Sequence, residues 1–204
     1  MQKFLARIKA QYKTSIEAFG AVSHGVLWTS GDEQMRRFAI LLDLIAPARD
    51  FSVNDLGCGY GALLDYLNAH DLAPTQYYGY DITPEMLACA RSRFATPNVA
   101  FIQSGYPTQQ ADYTLISGTF NLCDDAPHEQ WLEYVFEHLL LAFRATSRAL
   151  AFNGLSPTKT PQIDGLFYVD KERLCDLCIY GLGAKNIKTY DDPTLHEWSI
   201  AAFK

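Results

Sequence analysis

The sequence has no cluster of basic residues: 17 Lys and Arg stand against 23 Asp and Glu, for a formal net charge of −6. A duplex-binding surface needs such a cluster to neutralise phosphates and release counterions, so nucleic acid is not expected as a partner. Long apolar runs are missing too. Stretches such as Ala39–Leu42 and Leu139–Phe143 fall far short of the ~20 residues of a bilayer-spanning helix. At the amino terminus Lys3, Arg7, Lys9 and Lys13 interrupt the apolar residues, unlike the continuous core of a secretory signal. The five cysteines are odd in number and irregularly spaced, in a chain too large to need stapling; a reducing cytoplasm is the simplest compartment. No Pro-, Gly- or Ser-rich stretch is long enough for an interdomain linker, and no internal repeat is visible. A chain of 204 residues, 49% hydrophobic and 20% charged, is expected to fold as one soluble domain around a substantial core, as a monomer or homodimer.

What is present is an alternation of strand and helix signals. Phe4, Leu5, Ile8 and Tyr12 recur at helical spacing, with Gly20 as terminator. A loop from Ala21 to Gly31 precedes a second helix over about Asp32–Ala46, which stops before Pro47. Strands are expected at Phe51–Leu56, Tyr77–Tyr80, Val99–Ile102, Tyr113–Ser117 and Ala149–Phe152. Between and after them lie helices at Gly61–His70, Pro84–Phe94, Pro127–Phe143 and Asp170–Tyr180. Thr83 is the expected N-cap of the second of these, with Pro84 at the first helical position. Asn186–Tyr190 and Glu197–Phe203, around Asp191-Asp192-Pro193, read as an antiparallel hairpin. The fold class is therefore α/β, a mostly parallel sheet covered on both faces. Ligands of such sheets bind beyond the carboxyl ends of the strands at the switch point.

The strongest local signal is Val53–Gly61, VNDLGCGYG, between a strand and a helix. Its glycines at 57, 59 and 61 permit a tight turn and a close ligand approach. Asp81 ends the next strand, 26 residues after Asp55, where a carboxylate can accept both hydroxyls of a ribose. The glycine spacing departs from the G-x-G-x-x-G of dinucleotide folds, and no Gly-Lys-Ser/Thr is present for a triphosphate.

These residues resemble the class I S-adenosylmethionine-dependent methyltransferases. Asp55-Leu56-Gly57-Cys58-Gly59-Tyr60-Gly61 is similar to the family's first motif, Tyr78–Met86 to its second, and Ala111–Ser117 to the strand that follows. The resemblance runs from about Phe51 to Lys204. It implies a Rossmann-like, doubly wound seven-stranded sheet with the last strand antiparallel, and S-adenosylmethionine as cofactor. It further implies that Asp55, Gly57, Cys58, Gly59, Gly61, Asp81 and Ile82 form the cofactor site, Asp81 holding the ribose and Ile82 flanking the adenine. After the third strand the sequence departs from the pattern. Gly105 occupies the place where an Asp often meets the adenine amino group, so Ser104, a backbone carbonyl or Tyr106 is expected to take that part. Two other classes share parts of the pattern: a nicotinamide-dependent oxidoreductase, disfavoured by the glycine spacing, and a non-catalytic cofactor-binding subunit.

Arg37 can pair with the methionine carboxylate through its fork of donors, or form a surface ion pair. Asn121 follows the fourth strand and Asn153 the fifth, at the edge where the family places acceptor contacts; with Trp28 they are the expected substrate residues. Asn121 is followed by Leu122-Cys123-Asp124, not by the Pro-Pro of enzymes that methylate amino groups of nucleic acid bases. If the acceptor must lose a proton, His24 and Tyr106 are the candidate bases, with His128 third. His138 shares a helix with His128, and His196 is expected to face solvent. Cys175 and Cys178 have no second ligand pair for zinc and read as buried thiols. Residues 1–46 precede the sheet as a helical cap, 51–204 being the core. Residues 1 to about 30 are expected to lie as a lid over a small-molecule acceptor, with Gly20, Gly25 and Gly31 allowing movement. The alternative is a brace on the back of the sheet.

Overall fold

The computed structural model describes residues 1–158 and 160–204. Seven strands form one sheet: β1 (Ser52–Leu56), β2 (Gln76–Asp81), β3 (Val99–Gln103), β4 (Ala111–Ile116), β5 (Thr146–Leu155), β6 (Asn186–Asp192) and β7 (Glu197–Phe203). Their order is β3-β2-β1-β4-β5-β7-β6. β1 to β5 pair in parallel, and β7 runs antiparallel to both β5 and β6. This is the Rossmann-like arrangement, with the chain reversing its direction of winding between β1 and β4.

Among the described residues, six α-helices accompany the sheet: α1 (Gln2–Phe19), α2 (Gly31–Ile45), α3 (Ala62–Ala69), α4 (Pro84–Arg93), α5 (His128–Arg144) and α6 (Lys171–Asp176). Alternate residues of each strand face opposite layers because the side-chain period of a strand is two. Ala149, Ala151 and Ala201 join the core under α2, α3 and α4. Leu150, Phe152, Ile200 and Ala202 join the core under α5 and α6. The small residues on the first face admit α2, which lies against β5, β7 and β6. α2 is thus a layer helix, and the cap is narrower than residues 1–46.

α1 belongs to neither layer. Ile16 is buried in one core and Ile8 in the other, while Tyr12 packs against both. The helix therefore straddles an edge of the sheet, and a brace on the back is ruled out. Gly20 ends it at φ 71, and a 3₁₀ turn over Ser23–Val26 fills part of the expected loop. Ser30 caps α2, accepting from the Glu33 N–H at 3.4 Å.

Two local expectations are corrected. Thr83 holds the N-cap position of α4, but its hydroxyl caps nothing. The Asp81 carboxylate instead accepts the Thr83 N–H at 2.8 Å. The helix expected over Asp170–Tyr180 ends as α6 at Asp176 and continues as a π turn over Leu177–Gly181. Cys178 in that turn is fully buried, and Cys175 is partly so.

Candidate functional site

A cavity lies beyond the carboxyl ends of β1 to β4, at the switch point. Gly57, Cys58 and Gly59 follow β1, Asp81 ends β2 and Ile82 follows it, Ser104 and Gly105 follow β3, and Ser117 to Phe120 follow β4; all line it. Asp55 lines it from within β1. Opposite them stand Leu5, Ile8 and Tyr12 of α1, with Val26 and Trp28 of the segment behind it. Val26 reaches so close to the glycine loop that a Cβ on Gly59 would lie 2.9 Å from its Cγ1. The amino-terminal segment thus covers the site. Exposed ion pairs hold it there: Arg7 meets Asp124 and Asp125, and Lys13 meets Glu85 at 2.9 Å.

Asp81 organises the floor. Its Oδ2 accepts the Gly59 N–H at 3.0 Å and its Oδ1 the Thr83 N–H. The carboxylate is enclosed by protein yet keeps part of its surface open to the cavity. Burial raises its pKa, against the N–H donors of Thr83 and Gly59 that lower it. Tyr12 above it is raised by burial and by the Asp81 charge, so its hydroxyl stays protonated. Burial also pushes the Cys58 thiol well up, which removes it as a nucleophile at neutral pH.

Asp55 is more strongly perturbed. It is buried and accepts a hydrogen bond from the Tyr77 hydroxyl. Burial raises its pKa from 3.8 to about 7, with the Tyr77 bond opposing and Asp81 adding. The folded chain therefore retains a proton that the unfolded chain releases between those values. Stability from this group falls as pH rises through that window and levels off above it. We expect the urea midpoint of Asp55→Asn to lose part of the decline that the parent shows from pH 5 to pH 7. Parallel profiles for the two proteins would contradict the assignment.

Several expected site residues lie elsewhere. Gly61 does not line the cavity; at φ 86 it opens α3, and a Cβ there would lie 2.7 Å from the Phe94 ring. His24 is exposed on the 3₁₀ turn with its ring beside Phe19, because the turn directs Gly25 inward against Gly20. Tyr106 is also exposed, turned outward by a bend in which Ser104 Oγ accepts the Tyr106 N–H and donates to its carbonyl. His128 binds the Tyr168 carbonyl at 2.9 Å and does not line the cavity. His138, lowered by burial, sits behind Gly105. None of these histidines, nor Tyr106, is placed to act as a base.

Arg37 is corrected most sharply. It neither lines this cavity nor forms a surface pair. It is buried, and its Nη2 and Nε bind Glu197 at 2.6 and 3.0 Å. Its guanidinium also lies 3.9 Å from the Trp28 ring centroid, a favourable cation–π placement. Asn153 links this pair to the site: its Nδ2 donates to Glu197 at 2.7 Å, and its Oδ1 accepts the Gly118 N–H at 2.8 Å. Asn153 is buried and lines neither cavity, so it positions Gly118 and does not meet a substrate. Gly118, at φ 69, must be glycine for a second reason: a Cβ would lie 2.3 Å from the Trp28 ring. Trp28 borders this cavity and a second one beyond it, which Asn121, Arg37 and the exposed His196 also line.

Sequence reasoning missed Gln34 and Phe38 on α2 and Trp131 and Tyr134 on α5, which line the first cavity. Gln34 accepts from the Tyr60 hydroxyl at 3.0 Å. A buried Gln at a position that otherwise belongs to the apolar stripe of α2 was the available signal.

Residues 53–140 match the model of a methyltransferase domain. The chain is 36% identical over 164 residues to Rv1506c of Mycobacterium tuberculosis, provisionally named a methyltransferase, covering 79% of this chain and 98% of that one. Its fold resembles that of magnesium protoporphyrin IX methyltransferase from Synechocystis PCC 6803, solved with S-adenosylmethionine. The TM-score is 0.62 at 14% identity, over 84% of this chain and 79% of the other. It also resembles the pyocyanin biosynthetic protein PhzM, with a TM-score of 0.65 at 18% identity, over 95% of this chain and 61% of the other.

Proposed function

This chain belongs to the S-adenosylmethionine-dependent methyltransferases, and we propose that it methylates an oxygen or nitrogen atom of a small-molecule acceptor. The observation that carries the acceptor class is the roof. α1 and Trp28 close over the carboxyl edge of the sheet, which favours an acceptor small enough to be enclosed beneath them.

The residues present fit the cofactor. Ser117 Oγ is buried without a hydrogen-bond partner in a residue that lines the cavity, and a buried polar atom left unpaired calls for a ligand. Asp81 would accept from the ribose hydroxyls, Ile82 and Gly105 would flank the adenine, and Gly57 and Gly59 would admit the ligand to the backbone. Ser117 and Gln34, which line the same cavity, would meet the methionine end in place of Arg37. When bound, S-adenosylmethionine supplies an electrophilic methyl carbon on a sulfonium. Trp28 and Gly118 would hold the acceptor beside the cofactor, and α1 would exclude water. Rate enhancement then rests on placement, since His24, His128, His138 and Tyr106 are not positioned to take a proton. The ion pairs of Arg7 and Lys13 are exposed and individually weak, so the amino-terminal segment opens to admit both ligands.

Calorimetry is expected to show binding of S-adenosylmethionine and S-adenosylhomocysteine and none of NADH. Hydrogen exchange should show residues 1–31 gaining protection when S-adenosylhomocysteine binds. With methyl-labelled cofactor and a cell extract, label should enter the low-molecular-weight fraction. Label confined to protein or nucleic acid would overturn the acceptor class, and unchanged exchange across residues 1–31 would overturn the lid.

A further inference from the structure

The second cavity, of about 300 Å³, lies on the far side of Trp28 and shares Tyr12, Trp28 and Gly118 with the first. Two of its lining residues carry buried donors with no partner: Arg37 Nη1 and Asn121 Nδ2. Arg37 is 5% exposed and Asn121 7%. Unpaired buried donors are uncommon in folded proteins because each has lost its water without replacement. A ligand that presents lone pairs to both removes that loss.

The charges decide what kind of lone pair. Among the described residues lining the cavity, the formal charges are those of Arg37, Glu197 and Glu33. Glu197 already engages Arg37 through both carboxylate oxygens. The Glu33 carboxylate stands 3.8 Å from Nη1, too far for a hydrogen bond but close enough to add negative potential. One cation against two carboxylates leaves this wall net negative, so an anionic ligand meets repulsion as well as its own desolvation. Much of the remaining lining is apolar, with Leu122, Leu155, Leu166, Leu195 and Trp28, beside the polar Thr29, Thr194 and His196. Leu27 and Ile163 also line the cavity while remaining 44% and 55% exposed.

We propose that this cavity holds the methyl acceptor, and that the acceptor is an uncharged, largely apolar ring system anchored through a carbonyl or hydroxyl oxygen on Arg37 Nη1 and Asn121 Nδ2. The proposal rests on the methyltransferase reading, since the shared wall places such a molecule beside the cofactor. It adds that this wall rejects carboxylates.

Three probes of one shape test it: 2-naphthol, 2-naphthoate and naphthalene, titrated by tryptophan fluorescence into the full chain saturated with S-adenosylhomocysteine. Naphthol should bind about tenfold more tightly than either of the others, the discrimination expected of a hydrogen bond to a charged donor. Asn121→Leu should bring naphthol down to the affinity of naphthalene while leaving the S-adenosylhomocysteine Kd within about twofold. Because Asn121 Nδ2 bonds nothing in the protein, this change breaks no internal bond of that donor. Asn121→Ala gives the same reading if leucine disturbs folding. Tightest binding by naphthoate, no binding of any probe to the saturated protein, or an unchanged naphthol affinity in the variants would each overturn the proposal. Failure to saturate with S-adenosylhomocysteine would instead strike the methyltransferase reading beneath it.

Discussion

Asp81→Asn is expected to bind S-adenosylhomocysteine about ten- to a hundredfold more weakly than the parent chain, the worth of a charge-assisted hydrogen bond or two. The carboxylate spends one oxygen on the Gly59 N–H and the other on the Thr83 N–H, and its remaining lone pairs are those proposed for the ribose. An amide of the same size keeps a single acceptor oxygen. Facing the loop, its NH₂ opposes a backbone N–H and loses that contact; facing the ribose, it can only donate to a hydroxyl, without the carboxylate's charge. Asp81→Ala should be worse in a different way. It strands two backbone donors in an enclosed site, so it lowers stability as well as affinity. Calorimetry and thermal unfolding on both variants separate the two effects. A folded Asp81→Asn with unaltered affinity would sink the ribose assignment.

The larger effect on stability should come from Glu197→Ala, about 3–5 kcal/mol, the range found when one partner of a buried pair is removed. Glu197 and Arg37 side chains are 4% and 5% exposed. Truncating the carboxylate leaves a guanidinium in the protein interior with nothing opposite its Nε and Nη2. The same change releases Asn153 Nδ2, and Asn153 fixes Gly118 at the rim of the cofactor cavity. Cofactor affinity should therefore fall along with the urea midpoint. Removing both charges is a milder change than removing one, since two well-packed apolar side chains leave no stranded ion. Arg37→Met combined with Glu197→Leu should accordingly recover most of the stability lost by Glu197→Ala. A single variant within about 1 kcal/mol of the parent would mean that water reaches the pair and that it behaves as a surface bridge.

These two variants mark the boundary between local and long-range information. Asp81 was legible because its meaning is local: a strand, a glycine turn and an acidic residue at the end of the next strand form one supersecondary unit. Strand and helix periods are likewise short-range properties, so the order of elements and the parallel sheet with its closing hairpin could be read directly. The apolar stripe of α1 required burial somewhere, and with the first strand still to come it had the edge of the sheet available. For Arg37 and Asn153 the deciding partner was remote in sequence. Arg37 has Glu197 as its partner, 160 residues away, and no pattern around either residue announces the other. Asn153 likewise lost its part as a substrate contact to Gly118 and Glu197. His24 and Tyr106 were named by residue type, but single turns of backbone point both away from the cavity. Whether a polar side chain faces a ligand, a partner or water depends on which remote segments fold against it. The sequence alone determined the fold class and the glycine loop with its acidic partner; the tertiary structure decided which polar groups were left unpaired around the cavities.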